Sequence, residues 1–234
     1  MKRNIFAALL LVTSLVIVRD ASANLLVNGD FEAPVQTFPF FATFNIPAGS
    51  TYITGWTVVQ GNVDLTTTLN YGPLVNTLDP SSVQDVDLIG DTNAPPGGLG
   101  GIAQTFATLV GQEYILTFDY SHNPGSFSLN YAALVTVADA NAPANTVLST
   151  VISQPAGPAP WVAFTGTFTA NSTSTILSFI STQGGSSGGI YLDDVSVMPV
   201  PEPSSILLLV IGSVGCALVR RNRKKAAICG GDCS

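Results

Sequence analysis

The side chains best equipped for chemistry in this chain are carboxylates. Asp30 and Glu32 stand near the start of its central stretch, and Asp193 and Asp194 near its end. Hard oxygen donors of this kind are candidate metal ligands, and Ca²⁺ is the cation that prefers them. Asp85 and Asp87 share one face of a predicted strand, with Asp64 not far away in sequence. Such a trio could hold an acid pair, because glycosidases set two carboxylates about 5 to 9.5 Å apart across a sugar. Spacing along the chain does not fix that distance, and no residue type nearby marks one carboxyl for a raised pKa. Gly184-Gly185-Ser186-Ser187-Gly188 matches G-x-S-x-G, but a nucleophile elbow needs a helix after the serine. Ile190-Tyr191-Leu192 follows instead and reads as a strand, so the motif is expected to be a glycine-serine hairpin loop. The only histidine, His122, falls in His122-Asn123-Pro124-Gly125 and reads as a turn residue without a serine partner. No catalytic residue and no enzyme activity are therefore expected.

Flat side chains offer a different chemistry, stacking on sugar rings. Trp56 follows Thr54-Gly55 and is expected in the core. Trp161 follows a proline-rich loop and Tyr71 sits in Asn70-Tyr71-Gly72-Pro73, so these two are expected to face solvent and bind ligand. Gln60, Asn62 and Asn76 could add hydrogen bonds to hydroxyls.

The charge balance restricts the partners. Residues 24–198 contain no lysine or arginine and twelve carboxylates: Asp30, Glu32, Asp64, Asp79, Asp85, Asp87, Asp91, Glu113, Asp119, Asp139, Asp193 and Asp194. A stretch without cations cannot hold a polyanion, which excludes nucleic-acid binding. Any carboxylate it buries needs hydrogen-bond donors or a metal, because no ion pair is on offer. Cys216, Cys229 and Cys233 all lie in or after the C-terminal apolar run, so the stretch is held without disulfides. Cys229 and Cys233 alone make a poor metal signature.

The elements that must position these groups read as strands. Tyr114, Leu116, Phe118 and Tyr120 alternate with Ile115, Thr117 and Asp119; Leu177 and Phe179 alternate with Ile176 and Ile180; Val195 and Val197 close a last strand. Val162, Phe164 and Phe168 share a side around Gly166. Clusters of Pro, Gly, Asn and Ser separate the runs, as at 93–98, 122–125, 154–158 and 183–189. Many short strands at this spacing predict an all-β, two-sheet jelly-roll sandwich over 24–198.

Both ends carry targeting signals. Lys2-Arg3, an apolar run from Ile5 to Val18 and Ala21-Ser22-Ala23 read as a signal peptide over 1–23, removed by signal peptidase before Asn24. The apolar run is short for a membrane span, which usually needs about 20 residues. At the other end Pro201-Glu202-Pro203 precedes an uncharged run from Ile206 to Val219 and the basic cluster Arg220-Arg221-Asn222-Arg223-Lys224-Lys225. Fourteen apolar residues cover about 21 Å, a marginal membrane helix whose basic end should stay cytoplasmic. The segment 199–225 resembles the PEP-CTERM sorting signal of Gram-negative bacteria. That resemblance implies an exosortase that cleaves near Pro201-Glu202-Pro203, with Arg220 and Arg221 in the basic end, and delivery to the outer surface or an extracellular matrix. Until then the C-terminal helix would anchor the chain transiently in the membrane. The tail at 226–234 extends past the point where such signals usually stop.

Three landmarks carry a second resemblance: Asn24-Leu-Leu-Val-Asn-Gly-Asp-Phe-Glu32, Ile53-Thr-Gly-Trp56, and Gly189-Ile-Tyr-Leu-Asp-Asp-Val-Ser-Val197. Together with Val86-Asp-Leu-Ile-Gly90, Gly101-Ile-Ala-Gln-Thr-Phe106 and Gly111-Gln-Glu-Tyr-Ile-Leu-Thr-Phe118, they resemble the choice-of-anchor-C family of bacterial surface proteins. That family is similar to plant cell-wall domains built on a galactose-binding-like jelly roll. The resemblance implies neighbouring terminal segments, with a structural Ca²⁺ held there by Asp30, Glu32, Asp193 and Asp194. The expected function is a non-catalytic, carbohydrate-binding surface or matrix protein. The alternatives are a purely structural, glycosylated matrix component and a glycan-active hydrolase.

Overall fold

The computed structural model describes residues 23–36, 42–67, 76–90, 99–123, 130–155, 157–183 and 188–201. The expected signal peptide, Tyr71, residues 184–187 of the glycine-serine loop, and the sorting segment from Glu202 onward, with Pro203, Arg220 and Arg221, lie outside them. Eleven strands make up the described fold: β1 (Ala42–Pro47), β2 (Thr57–Gln60), β3 (Asn62–Thr67), β4 (Gln84–Asp87), β5 (Gly101–Ala107), β6 (Glu113–His122), β7 (Tyr131–Asp139), β8 (Ala142–Gln154), β9 (Val162–Thr169), β10 (Ser174–Gln183) and β11 (Ile190–Pro199). Among the described residues no helix is long and apolar enough to cross a membrane.

The strands form two antiparallel sheets, ordered β1-β3-β4-β11-β6-β9 and β2-β5-β10-β7-β8. Neighbours such as β4 and β11 are far apart in sequence, so the chain crosses repeatedly between sheets. The result is the predicted jelly-roll sandwich.

Period-2 burial builds the core between the sheets. Leu116 and Phe118 of β6, Leu177 and Phe179 of β10, and Val63, Leu65, Val86, Ile190 and Leu192 all turn inward and are buried. Aromatic rings fill the centre. Phe179 meets Phe118 edge-on at 5.0 Å between centroids and Trp56 at 6.2 Å, while Phe31 lies 5.3 Å from Trp56. Trp56 is thus a core residue as expected, and its Nε1 donates to the Asn28 carbonyl at 2.9 Å. Full burial of each such ring stabilises by about 1.5–3 kcal/mol relative to exposure.

The N-terminal segment is fastened to the last strand. Leu25 N donates to the Val197 carbonyl at 2.9 Å, Val197 N to Asn24 Oδ1 at 3.0 Å, and Val195 N to the Gly29 carbonyl at 2.8 Å. Gln104 of β5 clasps Val27 from the other sheet, accepting from its N–H at 2.7 Å and donating to its carbonyl at 3.0 Å. Gly29 is required where it stands, because a Cβ there would lie 1.9 Å from the Val195 carbonyl oxygen. The terminal segments therefore adjoin, as the family resemblance implied.

Candidate functional site

The face of the six-stranded sheet that looks away from the core is acidic. Because Val63, Leu65, Val86, Leu116, Phe118 and Leu192 point inward, the residues alternating with them point outward. The strand register arranges these in two neighbouring rows. In one row Thr66 pairs with Asp85, and Asp193 pairs with Asp119. In the other, Asp64 pairs with Asp87, Asp87 with Tyr191, and Tyr191 with Ser121. An outward face is normally wet, yet Asp64, Asp85, Asp87, Tyr191 and Asp193 are all buried.

Hydrogen bonds from short polar segments replace water on this face. Asn76 Nδ2 donates to Asp119 Oδ2 and Asp193 Oδ2 at 3.1 Å and to Asp194 Oδ2 at 3.3 Å, so three carboxylates converge on one amide nitrogen. Leu78 N and Asp79 N, bonded to Asn76 Oδ1, set that amide's orientation. Asp87 Oδ1 accepts from Ile89 N at 2.9 Å and Gly189 N at 2.8 Å, and its Oδ2 accepts from Asn123 Nδ2 at 3.1 Å. Asp85 Oδ1 accepts from the Thr66 hydroxyl, whereas Asp85 Oδ2 is buried without a partner.

Burial without cations disfavours the charged form of every one of these groups. Burial pushes the Asp85 carboxyl up to about 7, with the Thr66 hydroxyl pulling back and the Glu32 charge adding to the rise. It pushes Asp193 up to about 8 against hydrogen bonds from Ser82 and Asn76. Asp87 is raised well above the carboxylate range by burial and then by the negative charge of Asp64. Asp194, raised to about 6, is half-buried and also feels Asp79, Asp119, Asp30 and Glu32. Raised pKa values are therefore present at the Asp85–Asp87 pair, where residue types alone gave no sign of them.

The four expected metal ligands divide. Asp30 and Asp194 line a common open pocket of ≈ 320 Å³ together with Asn24, Asn28, Gly29 and Ser196. Asp193 turns onto the acidic face. Glu32 is occupied as a cap, its Oε1 accepting from Val83 N at 2.6 Å and Gln84 N at 2.9 Å. Among the described residues no group of three or more His, Cys, Asp or Glu side chains is placed to hold a metal by itself. The oxygen chemistry of the Asp30–Asp194 pocket nevertheless suits Ca²⁺, which also takes backbone carbonyls. The pocket arises from a bulge. Inward residues run Ile190, Leu192, then Val195, Val197, and the register shifts between Asp193 and Ser196. Asp194, at φ 51°, absorbs the extra residue.

Two expectations about side-chain position change. Trp161 does not face solvent: it is 7 % exposed and packs on Tyr191, apart from the main core. The loop ahead of it is drawn onto the sheet, because Ser121 Oγ donates to the Ala159 carbonyl at 2.9 Å and Gln154 Nε2 to the Pro160 carbonyl at 3.2 Å. Among the described residues Trp161 Nε1 is buried with no acceptor. His122 is no turn residue but the end of β6, fully buried and stacked on Tyr131 at 4.8 Å. The alternation that begins at Tyr114 runs two residues further than expected. Of the expected polar helpers, Asn62 and Asn76 are buried on or beside the acidic face, while Gln60 is exposed and donates to the Leu99 carbonyl.

Solved structures share this architecture. TmCBM61, solved in complex with beta-1,4-galactotriose, superposes with a TM-score of 0.51 at 15% identity, covering 76% of this chain and 100% of that one. The arabinose-bound MgGH51 α-L-arabinofuranosidase gives a TM-score of 0.50 at 18% identity, covering 76% of this chain and 26% of that one. At such identities the likeness is one of fold. In sequence, halomucin from Haloquadratum walsbyi is 30% identical over 205 residues, 85% of this chain but only 2% of halomucin's length. The PEP-CTERM protein-sorting motif matches residues 199–224. The family described as "Protein of unknown function (DUF642)" matches residues 24–197, nearly the whole of the sandwich, and the chain belongs to that DUF642 family.

Proposed function

We propose that this chain is exported by its signal peptide, sorted by an exosortase through its C-terminal motif, and displayed at the cell surface as a non-catalytic, polysaccharide-binding protein of the choice-of-anchor-C kind. The observation that carries the binding reading is the jelly-roll fold shared with TmCBM61, solved in complex with beta-1,4-galactotriose. Among the described residues Trp161 Nε1 is a buried donor with no acceptor, on a ring packed against Tyr191. A buried unmatched N–H is costly, and a sugar hydroxyl would relieve it once the ring is uncovered. Asp87, Ser121 and Asn123 stand beside this pair. A structural Ca²⁺ at Asp30 and Asp194, with Asp193 and Glu32 alongside, belongs to the proposal. It would tie the N-terminal segment to β11.

The test is a glycan array probed with the full chain in calcium and again in EDTA, followed by titration of any polysaccharide captured. Trp161→Phe keeps the ring and removes the N–H, so affinity should fall by about 3- to 10-fold, the net worth of one hydrogen bond. A chain that captures no polysaccharide, or a Trp161→Phe variant that binds like the wild type, overturns the reading. Melting with and without EDTA tests the calcium: an unchanged Tm removes it.

A second reading rests on β9, a strand at the edge of its sheet. Thr165, Thr167 and Thr169 are exposed in alternation there, as acceptors for O-linked sugar on a structural matrix component would be. Heterogeneous mass on the native protein would favour this reading.

A further inference from the structure

We propose a second cation site, separate from the Asp30–Asp194 pocket, at the β3–β4 end of the acidic face, where Asn62 Oδ1 and Asp64 hold one oxygen-seeking divalent ion of the Ca²⁺ class beside Asp87. Asn62 Nδ2 donates to Asn45 Oδ1 at 3.0 Å, which turns Asn62 Oδ1 the other way. That oxygen is buried and has no partner among the described residues, on a side chain only 8 % exposed. It stands with Asp64 Oδ1 against the Cα of Gly90: a Cβ on Gly90 would lie 2.6 Å from Asn62 Oδ1 and 2.9 Å from Asp64 Oδ1, so the two oxygens converge there. Directly across the strand pair from Asp64 lies Asp87, equally buried.

Two buried carboxylates opposite one another with a buried amide oxygen beside them make an excess of acceptors. Asp64 Oδ1 accepts from Asn45 N at 2.7 Å, and Asp87 accepts from Ile89 N, Gly189 N and Asn123 Nδ2. No lysine or arginine exists in residues 24–198 to supply more. A second orphan on the same face, Asp85 Oδ2, is again an acceptor. A surplus of hard oxygens is satisfied by a cation that takes oxygen ligands, with waters completing its shell. The ligand set is one carboxylate and one amide with a second carboxylate beside them, so it is distinct from any cluster of three acidic ligands. The rival arrangement needs no ion: with both amides reversed, Asn62 Nδ2 would donate to Asp64.

The experiment counts calcium equivalents by titration calorimetry on the full chain in mild detergent, alongside melting in Ca²⁺ and in EDTA. Asp64→Asn should lose one equivalent, while Asp194→Asn retains it. The asparagine keeps an acceptor for Asn45 N and removes repulsion with Asp87, so this variant should melt in EDTA no lower than the wild type, separating lost binding from lost folding. Gly90→Ala should lose the same equivalent by pushing a methyl group against both oxygens while leaving every charge in place. Equal equivalents in wild type, Asp64→Asn and Gly90→Ala overturn the site, as does a wild type that binds no Ca²⁺. An equivalent lost only in Asp194→Asn upholds the first pocket and overturns this one.

Discussion

Replacing Asp85 by asparagine should make this domain more stable, by an amount that grows from about pH 4 and is complete only above neutral pH. Asp85 is fully buried, accepts from the Thr66 hydroxyl through Oδ1, and has an unpartnered Oδ2. Its carboxyl titrates at about 7 in the fold instead of 3.8. A raised acid pKa means that the folded state pays more for the charge than the unfolded chain does. That penalty is absent below about pH 4, grows as the pH climbs towards 7, and is complete above it. Fully developed, a carboxyl moved from 3.8 to about 7 carries a penalty of about 4 kcal/mol. Asparagine keeps the acceptor for Thr66 and has no charge to bury. Its new N–H₂ faces the next position of β11 in the register that pairs Leu192 with Val86, which is Asp193, an acceptor. Urea unfolding in EDTA at pH 8 and at pH 4.5 measures the difference. At pH 8 the variant should gain up to about 4 kcal/mol, or about 8–16 °C in Tm for a domain of this size. At pH 4.5 the gain should shrink to about 1 kcal/mol. A variant destabilised by the same amount at both pH values would refute the reasoning, since it would mean that the Asp85 site was built around the charge.

Gly29→Ala should prevent folding or cost at least about 3 kcal/mol, because its Cβ would fall 1.9 Å from the Val195 carbonyl; thermal melting reads this directly. Asn76→Leu removes the donor shared by Asp119, Asp193 and Asp194. It should cost about 1–3 kcal/mol at pH 8 and less at pH 5, where Asp193 and Asp194, with pKa values of about 8 and about 6, are already protonated. Intact mass of the native protein should show a start at Asn24 and loss of the apolar tail, and an intact Ser234 would mean a plain membrane anchor. If the acidic face were a glycan hydrolase, Asp85→Asn and Asp87→Asn would each abolish turnover of a polysaccharide the chain captures; the expected result is no turnover in the wild type.

Sequence made the sandwich legible because its signals are local. Period-2 alternation in β6, β10 and the end of β11 and the Gly/Pro clusters between strands each arise within ten residues. His122 was misread because His-Asn-Pro-Gly has turn composition; only the partner strand, with Ile190 opposite His122, shows that pairing continues to that residue. Trp161 was misread for a related reason, since proline-rich composition locates a loop without saying where hydrogen bonds to Ser121 and Gln154 will pin it. The acidic face was half legible. Asp85 and Asp87 share a strand side by arithmetic, but their alignment with Asp64 and Asp193 depends on β3, β4 and β11 being neighbours, and that order is a property of the crossover topology. Asp119 reads in sequence only as an outward strand residue, although its place opposite Asp193 makes it part of the Asn76 convergence.

The missing cations give these parts a common cause. A cytoplasmic domain can neutralise buried carboxylates with its own lysines and arginines; residues 24–198 have none. Their neutralisation must come from amide and hydroxyl donors, from protons, or from ions supplied by the surroundings. The first two routes are visible, and the third is the one proposed above. Asn76 and Asn123 donate to carboxylates, Asp85 and Asp193 are raised to about 7 and about 8, and Asn62 Oδ1 and Asp85 Oδ2 wait as unmatched acceptors. These routes compete, because a bound divalent ion holds a carboxylate in its charged form and lowers its pKa. Calcium should therefore reverse the pH dependence of stability: in EDTA the domain strengthens as pH falls from 8 to 5, and in Ca²⁺ it weakens. One pair of pH series then separates a domain that balances its acids with protons from one that relies on the ions outside the cell.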